Sequence, residues 1–75
     1  MDKYANLHGN SGVDEYQITD SLIKVRFINS TDVYVYSNSI PGKGHVDEMK
    51  RLAKAGRGLA TYISQEIKGN YDHKE

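Results

Sequence analysis

Between Leu22 and Ile28 apolar and charged residues alternate, with Ile23, Val25 and Phe27 set against Lys24 and Arg26. That period of two predicts a half-buried strand with one oily face and one basic face. Asn29, Ser30, Thr31 and Asp32 carry turn chemistry, and Val33 to Ser37 is β-branched and aromatic, so the two segments read as an antiparallel hairpin. Val13 to Ile18 is a third strand, its pattern diluted by acidic residues, joined to the hairpin by a turn at Thr19, Asp20 and Ser21.

The period then changes. Ile40 and Pro41 close the sheet region, and Gly42, Lys43 and Gly44 lead into a helix expected from His45 to Ala55, whose apolar stripe is Val46, Met49, Leu52 and Ala53. Asp47 and Glu48 in its first turn and Lys54 in its last match the helix dipole. Gly56 is a natural stop and Gly58 a natural start, so a second helix is expected from Leu59 to Lys68, burying Leu59, Tyr62, Ile63 and Ile67. Gly69 and Asn70 end it, after which Tyr71 can fold back onto the body. The expected architecture is α+β: a three-stranded antiparallel sheet followed by two C-terminal helices packed on one face. Residues 1–12, with a breaker cluster from Gly9 to Gly12, read as a flexible leader, residues 13–71 as the single domain, and residues 72–75 as a flexible tail.

Two tyrosines decide much of the functional reading. Tyr34 and Tyr36 share one face of the last strand, either as a stacking platform for nucleic-acid bases or as core. With an even-numbered turn, Phe27 faces Tyr34 and Val25 faces Tyr36, and both rings join the oily side; a three-residue turn or a bulge puts them beside Lys24 and Arg26 instead. The even turn is preferred, because the chain has one phenylalanine and no tryptophan and its core is short of large residues.

At 75 residues the chain is small for a self-sufficient core. It has no cysteine, hence neither disulfides nor thiolate metal sites, and oligomerisation is one way to compensate. No apolar run reaches signal-peptide or membrane-span length, so a cytoplasmic protein without membrane contact is expected. The formal net charge is zero, yet residues 43–68 hold Lys43, Lys50, Arg51, Lys54, Arg57 and Lys68 against only Asp47, Glu48 and Glu66. A locally basic helical segment of this kind suits phosphate tracking, while its bland alternative is a solvated face with Asp47 paired to Arg51.

The order of these features resembles the KTSC domain, named for the C-terminal extension of some lysyl-tRNA synthetases and found also as a free-standing bacterial or phage protein. The resemblance rests on Ser11, Gly12 and Val13, on Val25 and Phe27, on Tyr34 and Tyr36, on Met49, on Gly56, Gly58, Leu59, Tyr62 and Ile63, and on Tyr71. It implies a module with no catalytic residue and no assigned function, for which the synthetase context suggests RNA.

Other chemistry is thinly represented. His8, His45 and His73 lie far apart with no metal-ligand spacing, Gly42 to Gly44 lacks the spacing of a phosphate-binding loop, and no serine stands in a nucleophile motif. The expectation is therefore a small non-enzymatic binding module, without cofactor, whose partner is RNA or single-stranded DNA. Lys50, Arg51, Lys54, Arg57 and Lys68 are its expected phosphate contacts, with Tyr34 and Tyr36 as stacking groups. The alternative is a protein-protein interaction or small structural module, a homodimer included.

Overall fold

The computed structural model describes residues 1–75. It is an α+β fold whose sheet has five antiparallel strands in sequence order: β1 (Asp2–Lys3), β2 (Val13–Ile18), β3 (Leu22–Phe27), β4 (Val33–Ser37) and β5 (His73–Lys74). The three-stranded sheet expected from the sequence is thereby corrected to five. The added strands are two residues long and polar, so no apolar alternation marks them; they join through backbone pairing, Asp2 opposite Tyr16 and Lys74 opposite Tyr34. Each is anchored by a neighbouring tyrosine. Tyr4, one residue beyond β1, is 2% exposed in the core, and Tyr71 packs edge-on to Tyr34 and Tyr36.

The weak pattern of β2 has a physical cause. A bulge between Val13 and Glu15 inserts Asp14, so that Val13, Tyr16 and Ile18 all join the core despite the odd spacing of the first two. The same bulge brings both Asp14 and Glu15 within reach of Arg26, at 2.9 and 2.6 Å. Between β3 and β4 the register pairs Val25 with Tyr34 and Ile23 with Tyr36, two residues displaced from the expected pairing. The displacement follows from the turn: the Ile28 N–H donates to Gly12 rather than across the hairpin, Asn29 takes a left-handed conformation, and Ser30 and Asp32 close hydrogen bonds within the loop. A shift of two preserves the face, so both tyrosines point to the oily side.

One helical layer covers that side. Helix α1 (Lys43–Ala55) presents Val46, Met49 and Ala53 to Ile23, Val25 and Tyr36. It starts two residues before the expected His45, so Asp47 lies beyond its first turn and pairs with Lys43 at 2.7 Å. Gly56 ends it in the left-handed conformation, φ 77°. The second helix differs from expectation in kind: α2 covers Leu59–Tyr62, and Ile63–Ile67 continues as a π-helical turn that Lys68, at φ 57°, terminates. Leu59, Ile63 and Ile67 are its buried residues. The other sheet face is mainly charged, though Val35 is buried there beside Lys24 and His73.

Candidate functional site

The structure separates the expected stacking groups from the expected cations. Tyr36 is 1% exposed and belongs to the core, so the two-ring platform does not form. Tyr34 is half-buried, edge-on to Phe27 at 5.5 Å and to Tyr71 at 4.9 Å, with the Lys74 ammonium 5.6 Å from its ring centre. Burial, and next the neighbouring Tyr34 and Tyr71, push the Tyr36 hydroxyl up to about 12.

The cations divide clearly. Lys3, Lys24, Arg26, Lys43, Arg51 and Lys74 each have a carboxylate partner: Asp14, Glu75, Asp14 with Glu15, Asp47, Glu48 and Asp32. Arg51 thus pairs with Glu48, three residues back, not with Asp47; its hydrogen bonds hold the Glu48 carboxyl below the usual range. Lys24 and Arg26 lie across the sheet from the helices and do not join the helical cations. Of the ten Lys and Arg residues in the chain, those left without a carboxylate are Lys50, Lys54, Arg57 and Lys68. Lys50 donates to the Asp20 carbonyl at 3.2 Å, which seats its stem against the β2–β3 turn; it forms no ion pair, though after the Lys43 hydrogen bond its charge helps lower the Asp47 carboxyl. Arg57 lies beyond the end of α1, after the left-handed Gly56 has turned the chain.

That turn opens a cleft of about 710 Å³. Its walls come from the segment Asn6–Ser11, the end of α1 with Gly56 to Gly58, and the α2 and π-helical turns; Tyr4, Leu52, Ala60 and Tyr62 are its apolar part. The N-terminal segment is held in place by definite bonds. The Leu7 N–H donates to the Gly56 carbonyl at 2.8 Å, and the Leu59 N–H donates to the Tyr4 hydroxyl at 3.3 Å. Asn6, itself left-handed at φ 54°, accepts from the Ser11 N–H at 3.0 Å, and the Ser11 hydroxyl accepts from the Val13 N–H. On the opposite side the Tyr62 hydroxyl and His45 Nδ1 are 2.7 Å apart, fixing the ring. Burial first, then Glu48 and Glu66, raises the Tyr62 hydroxyl above its ordinary value. Arg57 and Glu66, both exposed and neither in an ion pair, line this same cleft.

Sequence reasoning missed the cleft because it treated residues 1–12 as a leader. The signal present was Tyr4, a lone aromatic in a polar stretch, together with the close spacing of Gly56 and Gly58. The remaining polar clusters have other wiring. The Ser37 hydroxyl donates to Asp72 at 2.7 Å and accepts from the Ser39 and Ile40 N–H groups, while His73 meets the other oxygen of Asp72 at 3.1 Å. The carboxylate therefore stands between serine and imidazole, whereas activation of a serine needs the imidazole on the hydroxyl. No group of three or more His, Asp or Glu residues is placed to hold a metal ion, and no helix is long and apolar enough to cross a membrane. Comparison with protein-family models, with curated proteins and with solved structures finds no match to this chain.

Proposed function

We propose that this chain is a small non-enzymatic binding module of the KTSC kind that tracks the phosphates of a single-stranded nucleic acid along the outer side of its helical layer. The supporting observation is where cations stand without an ion-pair partner. On the sheet side Lys3, Lys24, Arg26 and Lys74 are balanced by Asp14, Glu15, Asp32 and Glu75, whereas Lys50, Lys54, Arg57 and Lys68 have no carboxylate partner. Lys54, Arg57 and Lys68 are exposed, while Lys50 is half-buried and held by the Asp20 carbonyl; a cation without a carboxylate partner is free to displace condensed counterions from a phosphate backbone. Arg51 drops out of the expected contacts, since Glu48 already occupies its guanidinium. Tyr34 and Tyr36 have no part in this reading. Ser11, Gly56, Gly58 and Tyr62, among the positions that carry the KTSC resemblance, line the cleft beside Arg57.

A dimer formed through a sheet edge draws less support, because both edges are two-residue strands carrying Asp2, Lys3, His73 and Lys74, the kind of short charged edge that resists pairing. The test is fluorescence anisotropy with labelled single-stranded RNA and DNA across a salt series. Four phosphate contacts predict a log-log salt slope of about −2.8, or roughly 50-fold weaker binding between about 50 and about 200 mM salt, and Lys50→Ala with Lys54→Ala should halve that slope. Absence of binding at low salt, or binding with a flat salt response, refutes the reading.

A further inference from the structure

We infer that the cleft between the Asn6–Ser11 segment and the α2 and π-helical turns is a nucleotide pocket, which takes one unstacked base bearing an exocyclic amino group against Glu66 and the adjoining phosphate against Arg57. The inference rests on the strand-binding reading above and gives that reading a point of base selection. Several independent features meet there. The volume, about 710 Å³, lies within the range of small-ligand pockets. Arg57 is at once a member of the cationic set without carboxylate partners and a wall of the cleft, so the cleft carries its own cation for a phosphate.

The polar lining is free to bind. The side chains of Asn10, Thr61 and Gln65 make no hydrogen bond within the protein, and Glu66 has no cationic partner, so their capacity is directed to water or to a ligand. The Tyr62 ring, tethered through its hydroxyl to His45, supplies a fixed aromatic wall of the type on which single-stranded bases stack. The backbone is also unusual on both sides. Glu66 and Gln65 sit in a π-helical turn, a geometry concentrated at functional sites, and Asn6 facing them is left-handed.

Selection follows from the chemistry of the carboxylate. An ionised Glu66 only accepts hydrogen bonds, so it favours cytosine, adenine or guanine, which present amino groups, over uracil, whose one pairing-edge donor, N3–H, is flanked by two carbonyls that the carboxylate repels. Mononucleotide titrations followed by amide NMR, with anisotropy on oligo-cytidylate, oligo-adenylate and oligo-uridylate, test this. Cytidine and adenosine monophosphates are expected to shift the amides of Asn10, Gly58 and Gln65, with uridine monophosphate about tenfold weaker. Glu66→Gln should erase that preference with the fold intact by amide dispersion, while Arg57→Ala should weaken every base alike. If the three oligomers bind equally, with a normal salt slope, and Glu66→Gln changes none of them, the pocket is refuted and the strand-binding reading survives. If mononucleotides shift the cleft amides but no oligomer binds, the pocket stands and the basic edge falls. If neither binds, both fall.

Discussion

Replacing Tyr36 by alanine separates a core role from a binding role. Tyr36 is 1% exposed, pairs with Ile23 across the sheet, and its ring centre lies 6.4 Å from that of Tyr71 at an interplanar angle of 80°. Truncating a buried aromatic costs about 3 to 5 kcal/mol through lost transfer energy and the cavity left behind. The edge-on contact with Tyr71 moves Tyr36→Ala toward the upper end of that range, since such pairs contribute about 0.5 to 1.5 kcal/mol beyond their area. A chain of this length has roughly 4 to 11 kcal/mol of stability in total, so Tyr36→Ala should lose from about a third to all of it. Tyr36→Phe keeps the ring and should stay folded. Urea unfolding followed by far-ultraviolet circular dichroism gives the midpoints, and oligonucleotide affinity measured on the folded phenylalanine variant gives the binding effect. A Tyr36→Ala midpoint equal to the parent's, or a marked loss of affinity in Tyr36→Phe, refutes the assignment of this ring to the core.

Two further outcomes follow from the same packing. Gly56→Ala places a Cβ 2.6 Å from that of Ala5, on a residue at φ 77°, where the neighbour is too short to move aside. It should cost about 1 to 3 kcal/mol, several degrees or more in thermal midpoint, whereas Gly69→Ala, with nothing within 4 Å, should be close to neutral. An unchanged midpoint for Gly56→Ala would mean that the N-terminal segment does not rest against this turn. The second outcome concerns alkaline pH. The Tyr36 hydroxyl is pushed up to about 12 in the folded protein from an ordinary value of 10.0, so folding favours its neutral form. That contribution is complete below pH 10 and is lost as pH rises toward 12, amounting to about 2 to 3 kcal/mol. Tyr36→Phe removes the titrating group, so its urea midpoint should fall less than the parent's between about pH 9 and about pH 11. Equal losses in the two proteins would contradict the burial of the hydroxyl.

The parts of the fold legible in the sequence are those where side chains dictate the backbone. Val13–Ile18 and Val33–Ser37 form the strands their composition suggests, and α1 ends at Ala55 because Gly56 can turn left-handed where other residues resist. The elements that escaped notice are held by the backbone. A two-residue strand of Asp and Lys, or of His and Lys, has no period to detect, and only a completed β2 or β4 offers it hydrogen-bond partners. The π-helical turn escaped for a related reason: Leu59, Ile63 and Ile67 are spaced as on an α-helix, and the widening that places Gln65 and Glu66 on the cleft leaves no mark in their identities.

Charge shows the same division between what is local and what is tertiary. The excess of Lys and Arg between residues 43 and 68 is visible by counting, but which of them are neutralised is not. Arg51 and Lys43 are removed from the set by partners three and four residues away, a matter of helix geometry. Lys24 and Arg26 are removed by Glu75, Asp14 and Glu15, which approach only when the last strand docks and the bulge in β2 forms. The end segments therefore do two kinds of work in a chain with no cysteine to staple it. Tyr71 and β5 close one side of the sheet and bring Glu75 to Lys24, leaving positive charge to the helical layer. Tyr4 seats the other end against Leu59, and with Leu7 on Gly56 it builds one wall of the cleft. Core closure and cleft formation are thus the same event at the N-terminal end, so a stability measurement on a variant of that segment also reports on the cleft.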